Sequence, residues 1–157
     1  MKKLSKACYI IRNATTYTSD SSLKVIYYAF SHSVMSYGII FWGNLSHSSI
    51  IFRIQKKVIR VVEGCRNRVS CRNLFKKLQI LPLTLQRVLS LLMFVVQNKF
   101  FLTNNENYNL DTRQRNNFYL PQANLTIYQK GAYYLGIKIF DNLPLEIKKV
   151  AGNQKKI

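Results

Sequence analysis

Between Ile51 and Leu78 the apolar residues return every three or four positions, and cations fill many of the places between them. That period is the mark of amphipathic helices. At about 100° per residue, Arg53, Lys56, Lys57 and Arg60 fall within about 100° of arc, while Ile51, Ile54, Val58, Val61 and Val62 occupy the far side. The next segment repeats the pattern, with Cys71, Leu74, Phe75 and Leu78 on one face and Arg72, Lys76 and Lys77 on the other. The Arg-rich turn Cys65-Arg66-Asn67-Arg68 joins the two. Over this stretch nine cations face a single acid, Glu63.

The same reasoning extends along the chain and predicts a mainly α fold. A short helix covers Leu4 to Asn13, with Ala7, Ile10 and Ile11 on one side. The polar cluster from Thr15 to Ser22 makes a turn, with Ser19 or Asp20 as N-cap. A long helix follows, with Leu23, Ile26, Tyr27, Phe30 and Val34 at core spacing, and Gly38 and Gly43 bracket a final turn or short helix. Ser46 or Ser48 caps the helix that carries the first basic face, and Gly64 fits the position just past its end. Ser70 caps the second basic helix, and Pro82 opens an apolar helix from Leu83 to about Asn98. Residues 1–102 are therefore expected to form a helical bundle. Residues 103–117, rich in Asn and without period, read as a polar linker or loop. Residues 118–157 read as a smaller, less regular helical segment, with a short strand at Asn117 to Leu120. Its helix from Ile127 to Phe140 is expected to break or bend near Gly131 and Gly136.

Composition narrows the chemistry. The net charge of +18 comes from 24 Lys and Arg against six acids, and 48% of the chain is hydrophobic, which is ordinary for a folded domain. Such a balance makes polyanions the expected partners, with nucleic acid ahead of an anionic membrane surface. The acids Asp20, Glu63, Glu106, Asp111, Asp141 and Glu146 are scattered, and no Gly-rich phosphate loop is present. Both facts argue against two-metal phosphoryl transfer and against a nucleotide-hydrolysing enzyme. Three cysteines, Cys8, Cys65 and Cys71, are an odd number and too few for a disulfide scaffold, which points to a reducing compartment. Lys6 and Arg12 interrupt any secretion-signal core, so an intracellular protein, cytoplasmic or nuclear and not secreted, is expected. The uncharged run from Val25 to Trp42 has Ser31, His32, Ser33, Ser36 and Gly38 at its centre, and the run between Arg87 and Lys99 is too short to cross a bilayer. Both read as core helices.

Several constellations are weaker than they look. Cys65 and Cys71 with His32 or His47 lack the spacing of a zinc site, and Cys71 belongs to an apolar face, so no metal or other cofactor is expected. Tyr27, Tyr28, Phe30, Tyr37, Phe41 and Trp42 read as core and not as a base-stacking platform. The cation run is different. A solvated charged face usually mixes signs for i,i+4 pairing, and unrelieved like charges lower stability unless a polyanion covers them. Arg53, Lys56, Lys57, Arg60, Arg66, Arg68, Arg72, Lys76 and Lys77 are therefore the candidate phosphate contacts, with Arg113 and Arg115 as a second group. Such contacts position a protein on RNA or DNA without reading sequence.

Three stretches together resemble one family. They are His32-Ser-Val-Met-Ser-Tyr-Gly-Ile-Ile-Phe-Trp-Gly-Asn44; Ile54-Gln-Lys-Lys-Val-Ile-Arg-Val-Val-Glu-Gly-Cys65 with Cys71-Arg-Asn-Leu-Phe75 and Leu81-Pro-Leu83; and Lys138-Ile-Phe-Asp-Asn-Leu-Pro-Leu-Glu-Ile-Lys148. In this order they resemble the region after the catalytic palm in reverse transcriptases of non-LTR (LINE-type, jockey-like) retrotransposons. Lys3 to Arg12 is similar to the start of that family's thumb. The resemblance implies a thumb-like bundle that grips a template–primer duplex. The family's Tyr-x-Asp-Asp turn, endonuclease and zinc knuckle have no counterpart here, so it implies a truncated fragment of an RNA-directed DNA polymerase, without catalysis of its own or a small-molecule substrate. Two alternatives stand beside it: an independent basic RNA- or DNA-binding helical protein, and a peripheral protein of anionic membranes.

Overall fold

Turn residues set where each helix stops, and each helix then buries the side its sequence makes apolar. The structure, a computed structural model, describes residues 2–98, 101–108, 117–144 and 146–148. Among the described residues the architecture is helical, without a strand. The chain divides into two compact units, Met1–Arg87 and Val88–Ile157, with the boundary inside one helix. Among the described residues no single helix is long and apolar enough to cross a membrane.

The first unit contains α1 (Lys2–Ala14), α2 (Asp20–Ile26), a π-helical segment (Tyr27–His32), α3 (Ser33–Ser36), α4 (Ile39–Trp42), α5 (Ser48–Val62), α6 (Cys71–Leu78) and the first turn of α7 (Leu83–Gln97). Its core gathers Leu4, Cys8 and Ile11 of α1, Leu23, Tyr27, Met35 and Ile39, Val58, Ile59 and Val62 of α5, and Phe75 and Leu78 of α6. Each fully buried Ile or Leu among them contributes about 1.5–3 kcal/mol. On α1 the buried side is Leu4, Ala7, Cys8 and Ile11, while Ile10 is exposed. On α5 the stripe is turned from the expected one. Gln55 and Ile59 are buried together with Val58 and Val62, whereas Ile51, Ile54 and Val61 are only half-buried.

The π-helical segment corrects the expected stripe of the second helix. Phe30 and Val34 are exposed, and Ser31 and Met35 take the core positions instead. A π turn closes i→i+5 bonds, so each residue advances less around the axis than in an α-helix. The buried face therefore continues Leu23, Tyr27, Ser31, Met35, a spacing that drifts by about 120° along an uninterrupted α-helix, while Ile39 is buried beyond the break at left-handed Gly38. The expectation that the aromatics of this region are core fails for most of them. Tyr27 is buried and Trp42 half-buried, but Tyr28, Phe30, Tyr37 and Phe41 are exposed, the last two by 86% and 75%.

The C-terminal ends of α5 and α6 follow the sequence, but the N-terminal caps do not. His47, and not Ser46 or Ser48, is the N-cap of α5, and Ser19 and Ser70 stand at the N-caps of α2 and α6 without a side-chain capping bond. Gly64 sits just past α5 at φ 61°, where its N–H donates to the Val61 carbonyl and the Cys65 N–H to that of Arg60. These two bonds form a Schellman cap. α6 ends in the same way, but the left-handed residue is Gln79 at φ 55°. Buried Gln55 ties three elements together. Its Nε2 donates to the Tyr27 hydroxyl and the Leu81 carbonyl, both at 3.0 Å, and its Oε1 accepts the Leu83 N–H at 2.9 Å. That last bond satisfies one of the free N–H groups that open α7.

The second unit holds the rest of α7, then α8 (Asn104–Tyr108), α9 (Thr126–Gln129) and α10 (Ala132–Asp141). Val95, Phe101, Phe118, Ile137 and Phe140 form its core. Part of the stretch expected as a loop is helical. Thr103 and Glu106 make a capping box at the start of α8, with the Thr103 N–H donating to Glu106 Oε2 at 2.7 Å and the Glu106 N–H to Thr103 Oγ1 at 3.3 Å. The strand expected at Asn117 to Leu120 is reduced to one antiparallel bridge between Thr103 and Phe118. Gly131 does separate α9 from α10, but Gly136 breaks nothing. It lies buried within α10, where a Cβ would stand 2.7 Å from Val95 Cγ2, so it is the small residue that lets α7 and α10 approach.

Candidate nucleic-acid interface

The basic residues of α5 and α6 face outward because their apolar partners are fixed in the first unit's core. Arg53 and Lys57 are exposed, and Lys56 and Arg60 are half-buried along their stems. Lys56 Nζ lies 4.6 Å from the centre of the Phe52 ring, which in turn stacks on Phe75 of α6 at 6.3 Å. This contact holds the Lys56 stem against the helix while leaving a cation at the surface. Arg60 Nε donates to the Val69 carbonyl at 2.8 Å and so ties α5 to the connecting turn. The Cys71 thiol reaches the Lys56 carbonyl at 3.6 Å and joins the start of α6 to the middle of α5.

Arg66, Arg68, Arg72 and Lys76 are exposed on the turn and on α6. Lys77 differs. Its Nζ lies 2.6 Å from Glu63 Oε2, and among the described residues this is the only ion pair. The hydrogen bond and charge of Glu63 hold the Lys77 ammonium above its ordinary range. Eight of the nine expected contacts thus lack a carboxylate partner among the described residues, while the ninth is compensated. Arg113 and Arg115 lie outside the described residues.

Two further basic residues of the first unit were not among those expected from sequence. Arg12 of α1 lies beside Lys57 on a shallow groove between α1 and α5, with Tyr9 on the same groove. The signal available for it was the i,i+3 spacing of Tyr9 and Arg12 on the exposed side of α1. Arg87 is half-buried at the end of the first unit. Its Nη1 donates to Asn44 Oδ1 at 3.2 Å, its buried Nε has no partner among the described residues, and burial lowers its pKa. Gly43 makes room for its stem, since a Cβ there would stand 2.6 Å from Arg87 Cδ.

Among the described residues, no three His, Cys, Asp or Glu side chains come together in a way that could hold a metal ion. The three cysteines are free thiols, with Cys8 and Cys71 buried. The chain matches no protein-family model, no curated protein and no solved structure.

Proposed function

We propose that this protein is a nucleic-acid-binding, thumb-like helical module of a non-LTR-type RNA-directed DNA polymerase, contacting a template–primer backbone and catalysing nothing itself. The observation that carries the reading is the outward basic surface of α5, the turn and α6, in which Lys77 alone meets a carboxylate among the described residues. A polyanion is the partner that removes the cost of holding such like charges together. A-form-like duplexes are held mainly by shape and backbone contacts, which Lys and Arg supply without base readout. The polymerase context rests on the ordered motifs from His32 to Asn44, Ile54 to Leu83 and Lys138 to Lys148. An intracellular location, cytoplasmic or nuclear, is part of the proposal.

Titration of an RNA/DNA hybrid duplex at several salt concentrations tests it. Affinity should fall steeply with salt, with a slope of about −0.9 in log–log form for each phosphate neutralised on B-form DNA and a similar dependence on a hybrid. Reversing Lys56, Lys57 and Arg60 to Glu together should weaken binding by at least about tenfold and flatten that slope. Salt-independent affinity, or an unchanged triple variant, refutes the interface.

A further inference from the structure

The groove between α1 and α5 lies at the edge of the proposed interface and is built differently from the rest of it. It encloses about 160 Å³ and is lined by Ser5, Cys8, Tyr9 and Arg12 of α1 and by Ile54 and Lys57 of α5. Leu4, Cys8 and Ile11 anchor one wall in the core that also fixes Val58 and Ile59 of the other, so the spacing of the walls is set before any ligand arrives. Arg12 and Lys57 therefore bring two cations from different helices to one depression, and among the described residues neither has a carboxylate partner. Tyr9 stands beside them 67% exposed. A surface aromatic next to paired cations is the combination that proteins use on single strands, where unpaired bases stack and phosphates follow the charge.

We infer that this groove is a subsite for single-stranded nucleic acid, with one phosphate held between Arg12 and Lys57 and the neighbouring base stacked on Tyr9. The inference rests on the nucleic-acid reading of the α5–α6 surface and extends it, because Lys57 belongs to both. The depression suits a phosphate group, so the base lies outside it, on the exposed ring. A base inside a duplex is already stacked and paired. Duplex can therefore use the two charges but not Tyr9, and the subsite favours an unpaired strand leading to or from the duplex.

Fluorescence anisotropy on the full chain, with a labelled oligothymidylate and an RNA/DNA hybrid of equal length, separates the contributions. Tyr9→Ala should weaken the single strand about fivefold or more and leave the hybrid within about twofold, while Tyr9→Phe retains binding. Arg12→Gln should weaken both ligands and reduce the salt slope by about 1. Equal losses on both ligands with Tyr9→Ala, or none on either, overturn the stacking role. A silent Arg12→Gln overturns the phosphate position. If these variants are silent while the Lys56, Lys57 and Arg60 reversal still abolishes hybrid binding, the subsite falls and the interface stands. If the reversal is silent too, both fall. Tyr9-dependent binding to phosphatidylserine vesicles, with none to the oligonucleotide, assigns the groove to lipid and overturns the inference.

Discussion

Gln79 closes α6 in a conformation that L-residues with a side chain adopt at a cost of about 1–2 kcal/mol, offset in part by the entropy a glycine would lose on folding. Its N–H and that of Ile80 already make the two capping bonds, to Lys76 and Phe75. Gln79→Gly should therefore stabilise the protein by about 0.5–1 kcal/mol in denaturant unfolding, with helix content unchanged by circular dichroism. Tyr27 tests the core by pH. Burial pushes its hydroxyl up to about 12, against the opposing hydrogen bond from Gln55. The unfolded chain gives up this proton near pH 10 and the folded chain near 12, so the folded state binds more protons between them. Stability from neutral Tyr27 is full below about pH 10 and is lost as pH rises through about 12, by an amount of order 2 kcal/mol. Denaturation midpoints measured across that window should fall in the wild type and lose this component in Tyr27→Phe. At neutral pH the same variant should cost only about 1 kcal/mol, because Gln55 Nε2 keeps the Leu81 carbonyl.

Just past the π-helical segment, two adjacent residues of α3 differ sharply in burial. Met35 is 3% exposed and Val34 37%. Met35→Ala should cost about 2–5 kcal/mol and Val34→Ala less than about 1, read as the shift in free energy of unfolding. An uninterrupted α-helix would place the larger cost at Val34. Much of this scale was legible in sequence. α5 and α6, the stop at Gly64, the break at Gly131 and the apolar face of Cys71, Phe75 and Leu78 all follow from period and punctuation. The helix at Asn104–Tyr108 was written in Thr103-x-x-Glu106, but no apolar period accompanies it, so composition alone reads as loop. The shift at Tyr27–His32 had no local signal, because it is set by which face the rest of the unit covers. Gln55 was missed because periodicity assigns core positions to apolar residues, whereas this buried amide is stabilised by three partners distant in sequence. The basic surface was legible because uncompensated charge is a property of composition. The groove was not, because Arg12 and Lys57 meet only after α1 packs on α5.

At the scale of the whole molecule the net charge of +18 is a load on the folded state, since a compact chain holds its cations closer than an unfolded one. Salt should screen that repulsion, and a bound polyanion should do more. Thermal unfolding followed by circular dichroism should show a midpoint that rises with added potassium chloride and rises further with polyuridylate. At a hundredfold excess over the dissociation constant the polymer should add about 2.7 kcal/mol. A midpoint that polyuridylate leaves in place at low salt would contradict the charge argument. The turn of helix around Tyr28 and Phe30 also bears on chain length itself. With one residue fewer between Tyr27 and His32, Leu23 and Met35 would stand close to three whole α-turns apart, at about 3.6 residues each, and would still share a face. Loss of a single codon there is thus absorbed by rewinding π into α. The same loss in the middle of α5 would swing every following side chain by about 100° and carry the cations into the core.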